Sequence, residues 1–344
     1  MLGSVRTDDF AFDLPLGQVA QQPAEPRDSA RLMVLRFRSG VVEHRTVRDL
    51  PALLKPGDLL VVNDTRVMAA RLFGRRPDTG GEVEALLVRP FSDRLWEVLF
   101  KPTRQARPGR RFIFEASDGP LAATVQFRAE GPVVLEFERS FDPASAGTIP
   151  LPPYIKDYTG DPERYQTVYS REPASSAAPT AGLHFTQELF ESLAERDIQR
   201  VEVTLHVGPG TFRPVVADDP RDHVLHAEHV TVPEGAAAAI AGAKAQGRRV
   251  VAVGTTVVRT LEHVARERGG IVPYDGWTSL RILPGDDFRV VDALMTNFHL
   301  PKSTLLMLVC ALAGQEFVLD AYRRAVAEGY RFYSFGDAML LLPE

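Results

Sequence analysis

Short apolar and polar alternations dominate the stretch between residues 66 and 150. EVEALLV, LWEVLF, RRFIFEA, LAATVQF and VVLEFE follow one another with Gly, Pro and Asp turns between them. Period-two alternation in runs of this length marks strands with one buried face, and their close spacing predicts a small antiparallel β-barrel. Upstream, RLMVLRFRSG and DLLVVN read as extended segments ending near Asn63. Downstream of the Pro-rich IPLPPYI the pattern changes. Helices are predicted near Gln187 to Arg196, Gly235 to Gln246, Val257 to Arg268, Thr304 to Ala313 and Phe317 to Glu328, with strands at VEVTLHV, RVVAVG and RVVDALMTNF. Strands alternating with helices imply a parallel or mixed sheet covered on its faces. The expected architecture is a mixed α/β domain over residues 1–65 and 150–344, interrupted by an inserted small antiparallel β-barrel domain over residues 66–149.

Composition narrows the setting. With 344 residues and 44% hydrophobic content, the chain can build a large core, and about two domains are expected. The single cysteine, Cys310, excludes an intramolecular disulfide and fits a reducing, cytoplasmic compartment. The N-terminus, MLGSVRTDDFAFDLP, has acids where an export signal needs a basic region followed by an apolar one. Leu305 to Ala313, the longest apolar stretch, falls well short of the roughly 20 residues that cross a bilayer and reads as a buried helix. No membrane partner is expected, and the oligomeric state stays open with a monomer favoured. A net charge of −5 argues against indiscriminate coating of polyanions. Between Arg66 and Arg111, however, eleven Lys and Arg stand against five Asp and Glu, so the basicity is confined to one region.

Candidate chemistry concentrates in loops that follow strands. In RVVAVGTTVVRTLEHV a buried strand runs into Gly254, Thr255 or Thr256 caps the next helix, and Arg259 follows in its first turn. Free amides at such a start suit a carboxylate or a ribose hydroxyl; a well-capped crossover helix is the structural alternative. VVDALMTNFHLPKST sets Asn297, His299, Lys302 and Ser303 or Thr304 at the strand edge where open α/β sheets bind ligands. VEVTLHVGPGTFRPV turns after His206 through Gly208, Pro209 and Gly210, so that backbone amides, Thr211 and Phe212 can approach a ligand closely. APTAGLHFT carries His184 beside Phe185; taken alone it reads as a tight loop with a satisfied histidine.

HVLHAEH places His223, His226 and His229 around Glu228. The spacing is not H-E-x-x-H and no cysteines join it, so no metal is expected. A carboxylate beside imidazoles can be tuned towards neutral pH, which suits acid/base work by His226 or Glu228. KPTRQARPGRR gathers Lys101, Arg104, Arg107, Arg110 and Arg111 without an acid, and LFGRR adds Arg75 and Arg76. Such a cluster can track an RNA backbone; a solvated basic hairpin has the same composition. Arg27, Asp28, Arg31, Asn63, Asp64, Thr65 and Arg66 occupy turns beside strands, where ion pairing or a zwitterionic amino-acid ligand would account for them.

Taken in order, FDLP, PAEPRDSARLMVL, NDTRVMAARLFGR, LPPYI, YQTVYS, APTAGLHF, VTLHVGPGTFRPV, DHVLHAEH, AVGTTVVRTLE, VDALMTNFHLP and YRFYSFGDAML closely resemble the S-adenosylmethionine:tRNA ribosyltransferase-isomerase family of the queuosine pathway. The match covers essentially the whole chain. It implies an α/β domain with an inserted β-barrel, and an enzyme that uses S-adenosylmethionine as cosubstrate with no other cofactor and no metal. The implied reaction transfers and isomerises the ribosyl group onto the 7-aminomethyl-7-deazaguanine at the wobble position of tRNAs for Asp, Asn, His and Tyr. Epoxyqueuosine-tRNA results, and adenine and methionine are released.

On this resemblance Phe185, Gly208, Gly210, Thr211, Phe212, Gly254, Thr255, Thr256, Arg259 and Asn297 hold the cosubstrate. His184, His206, His226, Glu228 and His299 are the acid/base candidates, and Arg75, Arg76, Lys101, Arg104, Arg107, Arg110 and Arg111 receive the tRNA. Some positions depart from the family pattern: Cys310 stands where serine is common, Glu82 where a basic residue is frequent, and Arg281, Asp286 and Asp287 where aromatic or apolar residues are usual. Two rival classes remain: a tRNA-binding protein without turnover, and a metal-dependent hydrolase built on His223, His226 and His229.

Overall fold

A computed structural model describes residues 5–128, 133–208 and 215–344. The first strands in chain order are Arg31–Arg36 (β1), Val41–Thr46 (β2), Leu59–Asn63 (β3), Arg66–Val67 (β4), Arg71–Arg75 (β5), Glu82–Pro90 (β6), Leu95–Lys101 (β7), Arg111–Phe114 (β8), Leu121–Arg128 (β9) and Val133–Phe137 (β10). Then come Pro173–Ser175 (β11), Gln199–Leu205 (β12), Glu228–Val232 (β13), Val250–Val253 (β14), Tyr274–Thr278 (β15), Ala293–Asn297 (β16) and Ala338–Leu342 (β17). Two single helical turns, Leu50–Leu53 (α1) and Pro143–Ala146 (α2), precede five longer helices among the described residues: Gln187–Ala194 (α3), Glu234–Ala245 (α4), Thr255–Arg268 (α5), Thr304–Ala313 (α6) and Gln315–Ala327 (α7).

The chain divides into two compact units, one of Met1–Thr65, Pro153–Glu172 and Ala178–Glu344, the other of Arg66–Pro152 and Pro173–Ala177. The larger unit is built on a nine-stranded mixed sheet in the order β15-β13-β12-β3-β14-β16-β17-β1-β2. At its centre β12, β3, β14 and β16 run parallel, and the flanking pairs are largely antiparallel. β3, β14 and β16 are buried at every position and largely apolar because both of their faces are covered. Leu59, Val61, Val250 and Ala252 point to one core with Ile240, Leu261 and Leu306 of α4, α5 and α6. Leu60, Val62, Val251 and Val253 point the other way, onto Leu189, Phe190 and Leu193 of α3. Successive strand residues face opposite sides, so one strand feeds both layers.

The smaller unit is a closed six-stranded antiparallel barrel in the order β10-β7-β6-β5-β8-β9, with β4 and β11 as a separate parallel pair. Its interior is filled by alternate residues, with Phe100, Phe112, Phe114 and Phe137 at the centre. Gly74 permits the tight β5 to β8 crossing: a Cβ there would lie 2.6 Å from the Phe114 ring and 2.7 Å from the Ile113 carbonyl oxygen. The α/β fold with a β-barrel expected from the sequence is the fold observed. One central strand, β17, was absent from that expectation; its residues, AMLLL, are buried throughout and sit between β16 and β1.

Candidate active site

Parallel strands deliver their C-terminal ends to one edge of a sheet. Here four polar loops meet there: Asn63 to Thr65 after β3, His206 to Gly208 after β12, Gly254 after β14, and His299 just beyond Asn297 of β16. Open α/β sheets bind ligands at this edge. Asn63, fully buried, ties three of the loops together. Its Oδ1 accepts from the amides of Leu205 (3.0 Å) and Thr65 (3.1 Å), and its Nδ2 donates to the Leu205 carbonyl (3.0 Å) and to Thr256 Oγ1 (3.2 Å). Gly254 takes φ +92°, open to glycine and strained for any L side chain, and it is itself the N-cap of α5. The expected threonine cap is therefore corrected: Thr255 is the first residue of the helix, and no side chain caps it.

Beside these loops lies a cavity of about 350 Å³, lined on its polar side by Gly208, His223, His226, Glu228, Arg259 and Arg281. Apolar groups of Leu280, Ile282, Leu305 and Leu308 form the rest of the wall. A volume of this size falls in the range of small-molecule sites. Glu228 and Arg259 are only 5% and 7% exposed and form an ion pair through Oε2 and Nη1. The other carboxylate oxygen accepts from the Gly208 amide at 2.9 Å, and Arg259 Nε donates to the Leu280 carbonyl at 2.9 Å. The pair thus has hydrogen bonds beyond its own, the condition for a buried charge to persist. Arg281 donates to the carbonyls of Arg221 (2.9 Å) and His223, which holds the loop carrying His223 and His226 at the cavity. Burial, then the charge of Arg281, lowers the His223 pKa.

Around the rim, His206 Nδ1 lies 2.7 Å from Thr65 Oγ1, and burial and the neighbouring His229 hold its pKa below the ordinary value. His299 Nε2 meets Thr296 Oγ1 at 2.9 Å, and burial pushes its pKa down to about 3. Asn297 accepts from Thr180 Oγ1 at 3.0 Å and donates to the Tyr333 carbonyl at 3.0 Å. These are polar side chains used up in holding loops. Among the described residues no three His, Cys, Asp or Glu side chains are grouped as a metal would require.

A family model described as queuosine biosynthesis protein matches residues 7–341 of the chain. The S-adenosylmethionine:tRNA ribosyltransferase-isomerase of Symbiobacterium thermophilum is 54% identical over 343 residues, which cover 98% of this chain and 100% of that protein. The protein of the same name from Thermus thermophilus is 54% identical over 343 residues, with 97% and 98% covered. Among solved structures, that of the S-adenosylmethionine tRNA ribosyltransferase of Thermotoga maritima is similar at a TM-score of 0.58 and 38% identity, covering 97% of this chain and 100% of that one. The chain belongs to the S-adenosylmethionine:tRNA ribosyltransferase-isomerase family of queuosine biosynthesis. It is a transferase-isomerase.

In this member of the ribosyltransferase-isomerase family, the structure brings Gly208, His226, Glu228 and Arg259 to one cavity. His206, Gly254, Thr255, Thr256, Asn297 and His299 lie at the strand-end edge. His184 and Phe185 have other surroundings. The His184 ring is buried between the carbonyls of Gly336 (3.0 Å) and Ala181 (3.2 Å), and its pKa is lowered by burial. Phe185 is fully buried and stacked on Phe190 of α3, with ring centroids 4.9 Å apart, so its face is covered by protein. Gly210, Thr211 and Phe212 lie outside the described residues.

On the barrel, the basic residues lie in the β5–β6 and β7–β8 connections or on the strand ends beside them, Arg75 in β5, Lys101 in β7 and Arg111 in β8. Arg75, Lys101, Arg104 and Arg107 are exposed. Arg76 pairs with Asp78 and Arg111 with Glu138, so these two are partly neutralised, while Arg110 keeps its charge and bonds Gln105 at 2.6 Å. Sequence reasoning missed Arg281 as a cavity residue, since nothing in LRILPGDDF signals that its side chain reaches across to the 221–223 backbone. It also missed Leu305 and Leu308, although their i, i+3 spacing puts both on one face of α6.

Proposed function

We propose that this chain transfers and isomerises the ribosyl moiety of S-adenosylmethionine onto the 7-aminomethyl-7-deazaguanine wobble base of tRNAs for Asp, Asn, His and Tyr. The products are epoxyqueuosine-tRNA, adenine and methionine. What supports the reading is full-length kinship with proteins of that name, joined to a polar cavity at the strand-end edge that carries a buried carboxylate and guanidinium.

The sulfonium of the cosubstrate acidifies the adjoining ribose carbon, so a positioned base can start the reaction by taking that proton. Adenine then leaves, the aminomethyl nitrogen attacks the sugar, and methionine departs as the sulfonium becomes a neutral thioether. An epoxycyclopentanediol remains on the base. We assign the proton transfers to Glu228 and His226, and cosubstrate contacts to Gly208, Gly254, Thr255, Thr256 and Arg259. The exposed barrel residues Arg75, Lys101, Arg104 and Arg107 meet the tRNA backbone. The reaction takes place in the cytoplasm, in a monomer, without a metal.

Incubation with S-adenosylmethionine and tRNA bearing the precursor base tests the reading. Adenine and methionine are expected in equal amounts, with a matching gain in tRNA mass. Binding of tRNA without adenine release would instead leave an RNA-binding protein.

A further inference from the structure

The three antiparallel strands β12, β13 and β15 have one face against the core and one towards solvent. On β13, Glu228, Val230 and Val232 are buried while His229 and Thr231 alternate with them on the outer face. The backbone amide of His206 bonds the His229 carbonyl at 3.0 Å, and His229 is in register with Trp277 on β15. The outer face therefore carries a cross-strand row of three flat rings. His206 and His229 lie nearly parallel, with centroids 6.0 Å apart at 13°, and Trp277 meets His229 edge-on at 5.2 Å. Trp277 is 60% exposed. An indole exposed to this degree at the end of a row of rings offers a wide flat face for stacking.

Position and chemistry narrow the partner. Glu228 and His229 are consecutive, so the cavity and the row stand back to back across β13. The row also sits where β12 ends, bonded through His206 to Thr65 at the same sheet edge as the polar loops. Of the carboxylates around the row, Asp275 is engaged by His229 Nε2 (3.1 Å) and Thr231 Oγ1 (3.0 Å) and Asp64 by Thr204 Oγ1 (2.7 Å), which blunts their repulsion of phosphates, while Glu172 acts on His206 from the β12 side. Rings presented on an open sheet face are the means by which unpaired RNA bases are stacked, because every base offers a π-face.

We propose that His206, His229 and Trp277 form a stacking platform for unpaired bases of the anticodon loop. The proposal rests on the reading that RNA is a substrate. The platform holds loop bases that flank the extruded wobble nucleotide while that nucleotide reaches the cavity.

The chain has two tryptophans, and the other, Trp96, is 8% exposed, so W96F leaves Trp277 as the sole indole reporter. Titration of W96F with an unmodified anticodon stem-loop RNA should quench Trp277 emission. In otherwise unaltered protein, W277A should weaken stem-loop binding about tenfold, the loss expected of one stacked base, while W277F stays within about threefold of wild type. The dependence of log Kd on log salt should not change, because no phosphate contact is lost. A blunt duplex of the same stem should bind wild type and W277A alike. Unquenched emission at saturation, or W277A binding the stem-loop as tightly as wild type, overturns the platform and leaves the RNA reading intact. Failure of wild type to bind the stem-loop overturns both.

Discussion

Glu228 accepts from a guanidinium at one oxygen and from a backbone amide at the other, inside the cavity that its neighbour His226 also lines. Glu228→Gln keeps an acceptor for the Gly208 amide and leaves the Arg259 charge without its partner. Two effects follow: a stability loss of roughly 3 kcal/mol in urea titration, from the uncompensated buried cation, and adenine release slowed at least tenfold. Stem-loop binding should stay unchanged, and an unaltered rate would remove Glu228 from the acid/base group. His299 gives a pH prediction. Its imidazole stays neutral in the folded chain down to about 3, against an ordinary value of 6.5. The unfolded chain binds the extra proton between those values, so the contribution to stability is lost as pH falls from about 6.5 towards 3. Wild type should lose up to about 1.4 kcal/mol per pH unit more than His299→Asn in the lower part of that window. Parallel stability curves for the two proteins would refute it. At this scale the sequence shows which polar residues stand after strands and little of their burial. His184 and Phe185 share a loop rich in small residues, but whether such a loop opens to a ligand or folds under the sheet depends on helix α3, which packs over it.

Gly254 is where the α5 element acquires its start. At φ +92° an alanine would strain the turn by about 1 to 3 kcal/mol, and the amides of Thr255 and Thr256 would shift with it. Gly254→Ala should lower thermal stability and raise the KM for S-adenosylmethionine more than it changes stem-loop affinity; equal changes in both would argue that the turn is purely structural. Five of the six barrel strands were legible from their alternation, as in EVEALLV, whose buried residues are Val83, Ala85 and Leu87; β5 was not. β3 and β14 were legible as short apolar runs between turn signals. β17 was not, since AMLLL shows neither alternation nor helical spacing and only its partners β16 and β1 decide its state. β4 and β11, two and three residues long, leave no periodic trace. The row of rings at β12, β13 and β15 was equally hidden, because His206 and Trp277 come to either side of His229 only through strand register.

For the molecule as a whole, charge separates two tasks. Arg107 is exposed on a barrel connection, and the buried ion pair belongs to the other unit. Arg107→Glu should weaken tRNA binding several-fold and reduce the salt slope by about one, with cosubstrate binding nearly intact. Equal loss of both affinities would count against that division. Dialysis against a chelator should leave the rate of adenine release unchanged, and a rate restored by added zinc would return the metal reading. A change of composition and period near residues 66 and 150 was legible in the sequence, and the compact units part at Arg66 and Pro152. The return of Pro173–Ala177 to the barrel unit was not, since three β residues beside β4 look like loop.

The pairing of β1 with β17 bears on how the protein is made. Leu32 stands opposite Ala338, so a strand synthesised early finds its neighbour only after α7 has emerged. Until then β1 has only β2 beside it, and its other edge, carrying LMVL, has no permanent partner. A ribosome-bound chain must shield that edge, and a nonsense codon just before Ala338 would yield a product prone to clumping rather than a slightly shorter enzyme.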